Sequence, residues 1–386
     1  MHRPHPPLPP GSWLGLLGGG QLGRMFCMGA QSLGYKVCVL DPAADSPAGA
    51  VADRQLQAAY DDAAALDALA ALCRAATTEF ENVPAPALER LASQIFVAPG
   101  AAAVAIAQDR IAEKAFVTGA GIEVAPYRAI LGEDDLREAD PALYPGILKA
   151  ARLGYDGKGQ ARVADAAAAL AAFRGFGGVP CVLERRLPLA LEVSVLVARG
   201  ADGAACAWPV AENEHRDGIL AVSAVPARID AALAARATQA TLALAAALDY
   251  VGVLCVEFFV LDDDRLVVNE MAPRPHNSGH WSLDAAITSQ FEQQARVLAG
   301  LPLGATRQHS PALMLNLLGD LWFHDDRAQE PDWAGVLNVP QAKLHLYGKA
   351  QARPGRKMGH VTLVGETAEA CCAAAAEVRR VLRIAG

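Results

Sequence analysis

The residues best placed to do chemistry lie in a hairpin expected over residues 252–270, where two strand-like runs alternate around the acidic tip Asp262-Asp263-Asp264. If the hairpin is closed by an even number of loop residues, for example Asp263-Asp264, Glu257 and Glu270 stand directly opposite on one face. Their Cβ atoms would then be about 4.5–5.5 Å apart. A turn longer by two residues keeps that parity. Two facing carboxylates repel, and burial sharpens the repulsion unless a cation lies between them. Glu257 falls in the apolar run Val253 to Val260, where an unpaired acid is costly. Magnesium is the natural occupant, since it takes one or two carboxylates and fills its remaining positions with phosphate oxygens. Asn269 offers one more oxygen. The bland alternative is an exposed hairpin with solvated acids.

A phosphate cradle is expected upstream. Lys149 follows the apolar pair Ile147-Leu148, and glycines recur through Gly154-Tyr155-Asp156-Gly157-Lys158-Gly159-Gln160, a loop able to close over phosphates. Each feature alone also suits an edge lysine or a surface turn, and Arg110, at a helix start, reads by default as a solvated charge. Lys343, Lys349, Arg353, Arg356 and Lys357 lie in a stretch, 341–365, with no acidic residue, which suits a monophosphate dianion or simply a basic surface loop. At the other end, Gly18-Gly19-Gly20-Gln21-Leu22-Gly23 satisfies G-x-G-x-x-G, and Asp41 ends the next strand at the spacing of a ribose-binding acid. That pattern predicts backbone N–H groups offered to an anionic or polar ligand, and taken alone it suggests NAD.

The elements that must position these residues follow from periodicity. Ser12 to Leu17, a helix from Gln21 to Leu33 and Lys36 to Leu40 form a βαβ opening, and the first ninety or so residues read as an open α/β sheet. A helix over 109–121, a strand over 145–151, a helix over 165–173 and a strand over 180–184 make a small α+β unit. Runs at 192–197, 205–210 and 219–225 look like antiparallel strands, followed by a helix over 231–248, the acidic hairpin and a last unit from Asn338. The expected divisions are a Pro-rich disordered tail over 1–11, an N-terminal domain over 12–107, a small lid over 108–185 and a large domain over 186–386.

Bulk properties exclude other classes. With 386 residues, 53% hydrophobic and 20% charged, the chain can bury a sizeable core. No run approaches the roughly 18 apolar residues of a membrane span, and no signal-peptide pattern opens the chain, so neither membrane insertion nor secretion is expected. A net charge of −8 argues against nucleic-acid binding. Eight scattered cysteines without C-x-x-C spacing fit packing in a reducing, cytoplasmic setting rather than disulfides or zinc.

The string from Asn269 to His280, NEMAPRPHNSGH, resembles the signature of the N5-carboxyaminoimidazole ribonucleotide synthetase family of ATP-grasp ligases. The resemblance extends in order through 18–24, 78–84, 154–160, 212–215, 345–349 and 356–360. It implies an α/β and α+β ATP-grasp fold, with a Rossmann-like pre-ATP-grasp domain, a small lid and a larger C-terminal α+β domain. It implies ATP and magnesium, with manganese as a possible substitute, bicarbonate and 5-aminoimidazole ribonucleotide as substrates, and a homodimer. By this resemblance Arg110, Lys149, Gly154 to Gln160, Glu184, Arg185, Arg186, Leu187, Glu192, His215, Asn269 and Glu270 match nucleotide positions. Glu184 would begin the strand facing adenine, Glu192 would bind ribose hydroxyls, and Glu257 and Glu270, with Asn269, would hold the metal. Tyr155, Asp156, Arg274, His276 and Asn277 are similar to residues around bicarbonate and the aminoimidazole; Lys349, Arg356 and Lys357 look like the phosphate clamp. Gln21, Leu22 and Glu81 would line that substrate.

The implied chemistry converts bicarbonate, which lacks a good leaving group, to carboxyphosphate with the ATP γ-phosphoryl group, and the exocyclic amine then captures the carboxyl carbon, or carbon dioxide released from it. Lys149 and Arg274 would stabilise charge, while Asp156 and His276 are candidates for moving protons. Three rivals compete: an NAD-dependent dehydrogenase, another ATP-grasp ligase of the glycinamide ribonucleotide transformylase or biotin carboxylase type, and a silent nucleotide-binding scaffold.

Overall fold

Short strands, all but Lys36–Leu40 leading into a helix, build a parallel sheet first. Trp13–Leu17, Lys36–Leu40, Arg54–Leu56, Ala75–Thr78 and Phe96–Val97 pair in parallel, with Arg54–Leu56 at one edge, Phe96–Val97 at the other and Trp13–Leu17 in the centre. Strand order reverses at Trp13–Leu17, so the crevice beyond its C-terminal end and that of Ala75–Thr78 is where such a sheet takes ligands. In the computed structural model, residues 6–154, 159–324 and 327–384 are described.

The small lid is a four-stranded antiparallel sheet, Tyr127–Ile130, Cys181–Arg185, Gly146–Ala150 and Gln160–Val163 in spatial order, backed by Ala166–Gly175. Its core contains Leu148, Phe173 and Leu183. The large domain is built on an antiparallel sheet that runs from Leu266–Ala272 through Gly252–Leu261, Leu189–Arg199, Ala211–Arg216, Ile219–Val225, Ala312–Leu318 and Lys357–Val364 to Ala342–Leu346. The C-terminal segment therefore continues the large domain's own sheet through the pairing of Ile219–Val225 with Ala312–Leu318.

A shared core locks the first domain to the third. The apolar face of Gln21–Ser32, with Leu22, Met25 and Phe26, packs against Phe291 and Leu298 of Gln290–Leu298. Buried Gln294 ties the two together: its amide donates to Thr77 Oγ1 at 2.9 Å and to the Ala98 carbonyl at 3.4 Å, and its oxygen accepts from Val253 N at 2.7 Å.

Three expectations change. The tail is docked over its described part, because Leu8 N donates to the Ala299 carbonyl at 2.8 Å, Tyr35 Oη donates to Leu8 O at 2.8 Å, and Leu8 packs on the shared core. Ala211–Arg216, whose sequence AENEHR has no apolar run, is a strand because neighbours on both sides supply its ladder. The hairpin closes through three residues, Asp262 to Asp264, rather than an even number: Leu261 N bonds Arg265 O at 3.0 Å, and Asp264 has a φ of 59°. That odd turn sets Phe258 against Val268 and would set Glu257 against Asn269. A β-bulge at Asn269 restores the opposition of Glu257 and Glu270.

All eight cysteines are free, and no helix among the described residues is long and apolar enough to cross a membrane. Replacing Gln294 with Ala strands the buried Val253 N–H and removes both bonds to the first domain. Thermal or urea unfolding should register a loss of about 1–3 kcal/mol; an unchanged midpoint would remove Gln294 from this role.

Candidate active site

All three units meet at a cleft of about 630 Å³. The first contributes Gln21, Leu22, Glu79 and Glu81 from the sheet crevice; the lid contributes Lys149, Gly154, Gly159 and Gln160; the large sheet contributes Glu192, His215, Glu257, Asn269, Glu270, Arg274, His276, Asn277 and Lys357. A second cavity, of about 730 Å³, lies between Ile219–Val225, Ala312–Leu318 and the end of the helix Ala368–Leu382, but the opposed acids are not in it. Tyr155, Asp156, Gly157 and Lys158 lie outside the described residues.

The bulge decides which side chains face the cleft. Alternation should turn Asn269 and Glu270 to opposite faces of the sheet, but the extra residue lets both point the same way, beside Glu257. Burial pushes the Glu257 carboxyl up to about 7, and the Glu270 charge adds to the rise. Its Oε1 is buried without a hydrogen-bond partner. An orphaned oxygen beside a second carboxylate and an amide oxygen is a donor set that fits a hard divalent cation.

Cations surround the opposite side. Burial works against ionisation of Glu270, yet Arg110, whose Nη1 lies 3.0 Å from Oε2, and then Lys149 hold its carboxyl below the ordinary range. Lys149 Nζ lies 3.0 Å from Glu184 and 3.3 Å from Asn269 Oδ1. Burial lowers its amine even so. Lys114 approaches the other oxygen of Glu184 at 3.1 Å, and burial of that carboxyl is outweighed by the two lysines, which bring it down to about 2. Arg274 Nε donates to Glu81 at 2.6 Å, linking the large sheet to the first domain's crevice. His215 and Glu192 form a close pair; burial opposes protonation of the imidazole, but Glu192 and the cleft carboxylates hold it above the ordinary histidine range. His276 Nε2 lies 3.6 Å from Glu257, and burial, with Arg274 and Lys357 nearby, keeps the ring neutral.

The glycine run does something other than bind a ligand. Gly19 N donates to Asp41 Oδ2 at 2.6 Å, and Gly20 N and Gly23 N donate to the two oxygens of Glu79 at 2.5 and 2.7 Å. A Cβ at Gly20 would run into that carboxylate. The N–H groups expected to receive an anion thus receive the protein's own acids, and Asp41 also accepts from Tyr60 Oη at 2.6 Å. This overturns the dinucleotide reading.

Several matched residues lie beside the cleft rather than lining it. Glu184 is buried near the end of its strand and does not begin it, Arg185 is exposed, Arg186 N donates to the Pro145 carbonyl, and Leu187 packs against the small cluster of Ala125, Leu261 and Val267. Lys349 Nζ bonds the Lys357 carbonyl at 2.6 Å, and Arg356 Nη1 bonds Gln351 O at 2.7 Å. Sequence reasoning missed Glu79, Glu113 and Lys114. The last two could have been found, because Arg110, Glu113 and Lys114 stand at i, i+3 and i+4 at the start of Arg110–Gly119, which puts them on one helix face. Glu113 meets the backbone N–H of Met271, and burial pushes its carboxyl up to about 7.

A lid sheet facing an antiparallel sheet across opposed acids and a buried lysine is the arrangement of the ATP-grasp enzymes, and residues 115–291 match the ATP-grasp domain family. Residues 12–108 match the ribonucleotide synthetase preATP-grasp domain, and residues 312–374 the phosphoribosylaminoimidazole carboxylase C-terminal domain. The chain is 50% identical over 360 residues to the N5-carboxyaminoimidazole ribonucleotide synthase of Brucella melitensis, covering 92% of this chain and 97% of the relative. It superposes on the Staphylococcus aureus N5-carboxyaminoimidazole synthetase complexed with ADP with a TM-score of 0.89 at 36% identity, over 97% of this chain and 98% of the other. The Aspergillus clavatus synthase in complex with ADP and 5-aminoimidazole ribonucleotide gives 0.88 at 30% identity, over 97% and 99%. The chain belongs to the N5-carboxyaminoimidazole ribonucleotide synthase family, ATP-dependent ligases of purine biosynthesis.

Without nucleotide or divalent ion, Glu257 contributes stability that is full below its ordinary value of 4.5 and is lost as pH rises through about 7, because the folded state holds the proton more tightly. Glu257→Gln should flatten that part of the stability profile and unfold at higher urea than the parent chain above pH 7. Parallel profiles for the two proteins would contradict it.

Proposed function

We propose that this cleft carboxylates 5-aminoimidazole ribonucleotide with bicarbonate at the expense of ATP, giving N5-carboxyaminoimidazole ribonucleotide, ADP and phosphate through carboxyphosphate. The observation that carries the reading is the opposed pair Glu257 and Glu270, flanked by Arg110 and Lys149 and open to the first domain's crevice. Glu257, Glu270 and Asn269 would hold magnesium, or manganese in its place. When bound, the ion would offset charge on the ATP phosphates.

ATP lies between the lid and the large sheet in this reading. Lys149 and Arg110 face its phosphates, Glu192 takes the ribose hydroxyls with His215 beside it, and Glu184 to Leu187 flank the base. Glu184 also keeps Lys149 in place through a buried ion pair, so the lysine's position is set before the nucleotide arrives. The loop from Gly154 to Gln160 covers the phosphates and excludes water, which would otherwise hydrolyse carboxyphosphate.

Bicarbonate lies by Arg274, whose guanidinium is oriented by Glu81 and carries the positive charge needed as the γ-phosphoryl group moves onto a bicarbonate oxygen. The bond from the bridging oxygen to the γ-phosphorus breaks, ADP departs, and the carboxyl carbon gains phosphate as a leaving group. The exocyclic amine of the aminoimidazole then forms the C–N bond, phosphate leaves, and the amine gives up its proton. Gln21, Leu22 and Asn277 line this substrate, with Tyr155 and Asp156 contributed by the cover. Lys357 in the cleft, with Lys349 and Arg356 behind it, meets the substrate phosphate. The reaction is assigned to the cytoplasm, in keeping with free, mostly buried cysteines, and to a homodimer, as the resemblance implies.

ADP release should require ATP, divalent ion, bicarbonate and aminoimidazole ribonucleotide together. Release independent of the aminoimidazole would point to another ATP-grasp ligase. Glu270→Gln should cut phosphoryl transfer by at least about 100-fold, the scale of losing a preorganised charge. Lys349→Ala should instead raise KM for the ribonucleotide while leaving kcat largely intact; the reverse split would take Lys349 out of the phosphate clamp.

A further inference from the structure

We propose that Ser223, Asn213, Ser194 and Ser278 form a one-way hydrogen-bond chain beneath the cleft that holds His276 with its proton on Nε2, directed toward Glu257. The polarity follows from one group that cannot turn round. The backbone N–H of Ser278 donates to His276 Nδ1 at 3.3 Å, so this nitrogen carries no proton. The Ser278 hydroxyl, 2.9 Å from the same nitrogen, must then donate to it. Having spent its proton there, Ser278 Oγ accepts from the Ser194 hydroxyl at 2.7 Å. Ser194 Oγ in turn accepts from Asn213 Nδ2 at 2.9 Å, and Asn213 Oδ1 accepts from the Ser223 hydroxyl at 2.7 Å. Each step settles the orientation of the next, including which way the Asn213 amide faces.

The sheet register makes the chain possible. Asn213 pairs with Ser223 on one neighbouring strand, and Ser194 pairs with Glu257 on another, which puts these polar residues on the face that carries the opposed carboxylates. Ser194, Ser223 and Ser278 are fully buried and Asn213 is 7% exposed, so water does not compete for these bonds. Ser278 reaches the chain because His276 caps the short turn Asn277–Gly279 through Nδ1.

With Nδ1 occupied and Nε2–H facing the cleft, His276 is a hydrogen-bond donor to an anion beside Glu257 and not the base that takes the amine proton. This last consequence rests on the carboxylation reading above; the chain of bonds does not. Ser194, Asn213 and Ser278 are positioning residues that act through the imidazole.

Long-range 1H–15N correlation spectra of the full chain labelled with 15N-histidine identify the tautomer, with the His276 signals assigned from their loss in His276→Gln. The Nε2–H form is expected, with Nδ1 shifted as a hydrogen-bond acceptor. Asn213→Asp offers an acceptor on both sides, so the Ser194 and Ser278 hydroxyls should turn away from the ring. The Nδ1 resonance should move toward that of a free acceptor nitrogen, and kcat should fall by about tenfold, the scale of one hydrogen bond, with KM for ATP unchanged. Ser194→Ala should shift the resonance in the same direction by less. An Nδ1–H form in the parent chain overturns the proposal, as does an Nδ1 resonance that neither variant moves. The expected tautomer in a chain that forms ADP without carboxylating the ribonucleotide would fault the functional reading and leave the bond chain standing.

Discussion

Two carboxylates on adjacent strands of a buried sheet cannot both stay ionised unless positive charge lies within reach, and the cleft is arranged around that requirement. Glu270 receives its compensation from Arg110 and Lys149. Glu257 does not receive enough and remains at about 7. This asymmetry leaves the pair short of positive charge on the Glu257 side. Cations already spent within the protein, such as Lys114 against Glu184, keep the remaining ones at fixed positions before any ligand enters.

The first domain supplies a wall to this cleft and not a dinucleotide pocket of its own. Its glycine run has the pattern of a dinucleotide fingerprint, but the donors at the helix start are satisfied by Asp41 and Glu79. Filling that nest internally makes the turn rigid and leaves side chains, Gln21, Leu22 and Glu81, to face the cleft. Glu81 then reaches Arg274 on the large sheet, so the wall also orients that guanidinium. The buried amide of Gln294 and the packing of Phe291 on Gln21–Ser32 hold the two domains in one relation.

Much of this was legible in the sequence where a local rule governs it. The parallel opening sheet, the lid strand carrying Lys149 and the acid hairpin follow from periodicity and turn residues. What escaped depends on partners far away in the chain. Ala211–Arg216 has no apolar pattern because its inward face carries Asn213, which is paid for in hydrogen bonds rather than in hydrophobic contacts. Whether glycine N–H groups point at a ligand or at an internal carboxylate cannot be read from glycines, because Glu79 lies on another strand's end, 59 residues from Gly20. The docked Leu8 likewise owes its place to Ala299 and Tyr35, which no reading of a proline-rich opening contains.

The extra residue at Asn269 carries a consequence for how this hairpin tolerates change in length. Three tip residues and one bulge compensate each other, so trimming the solvent-exposed Asp262–Asp264 corner by one would allow the ladder to run without interruption. Glu257 and Glu270 would still meet, but Asn269 would rotate to the far side and leave the cleft one oxygen poorer. An indel at an exposed corner would thus be felt inside the cleft, with no substitution anywhere near the opposed carboxylates.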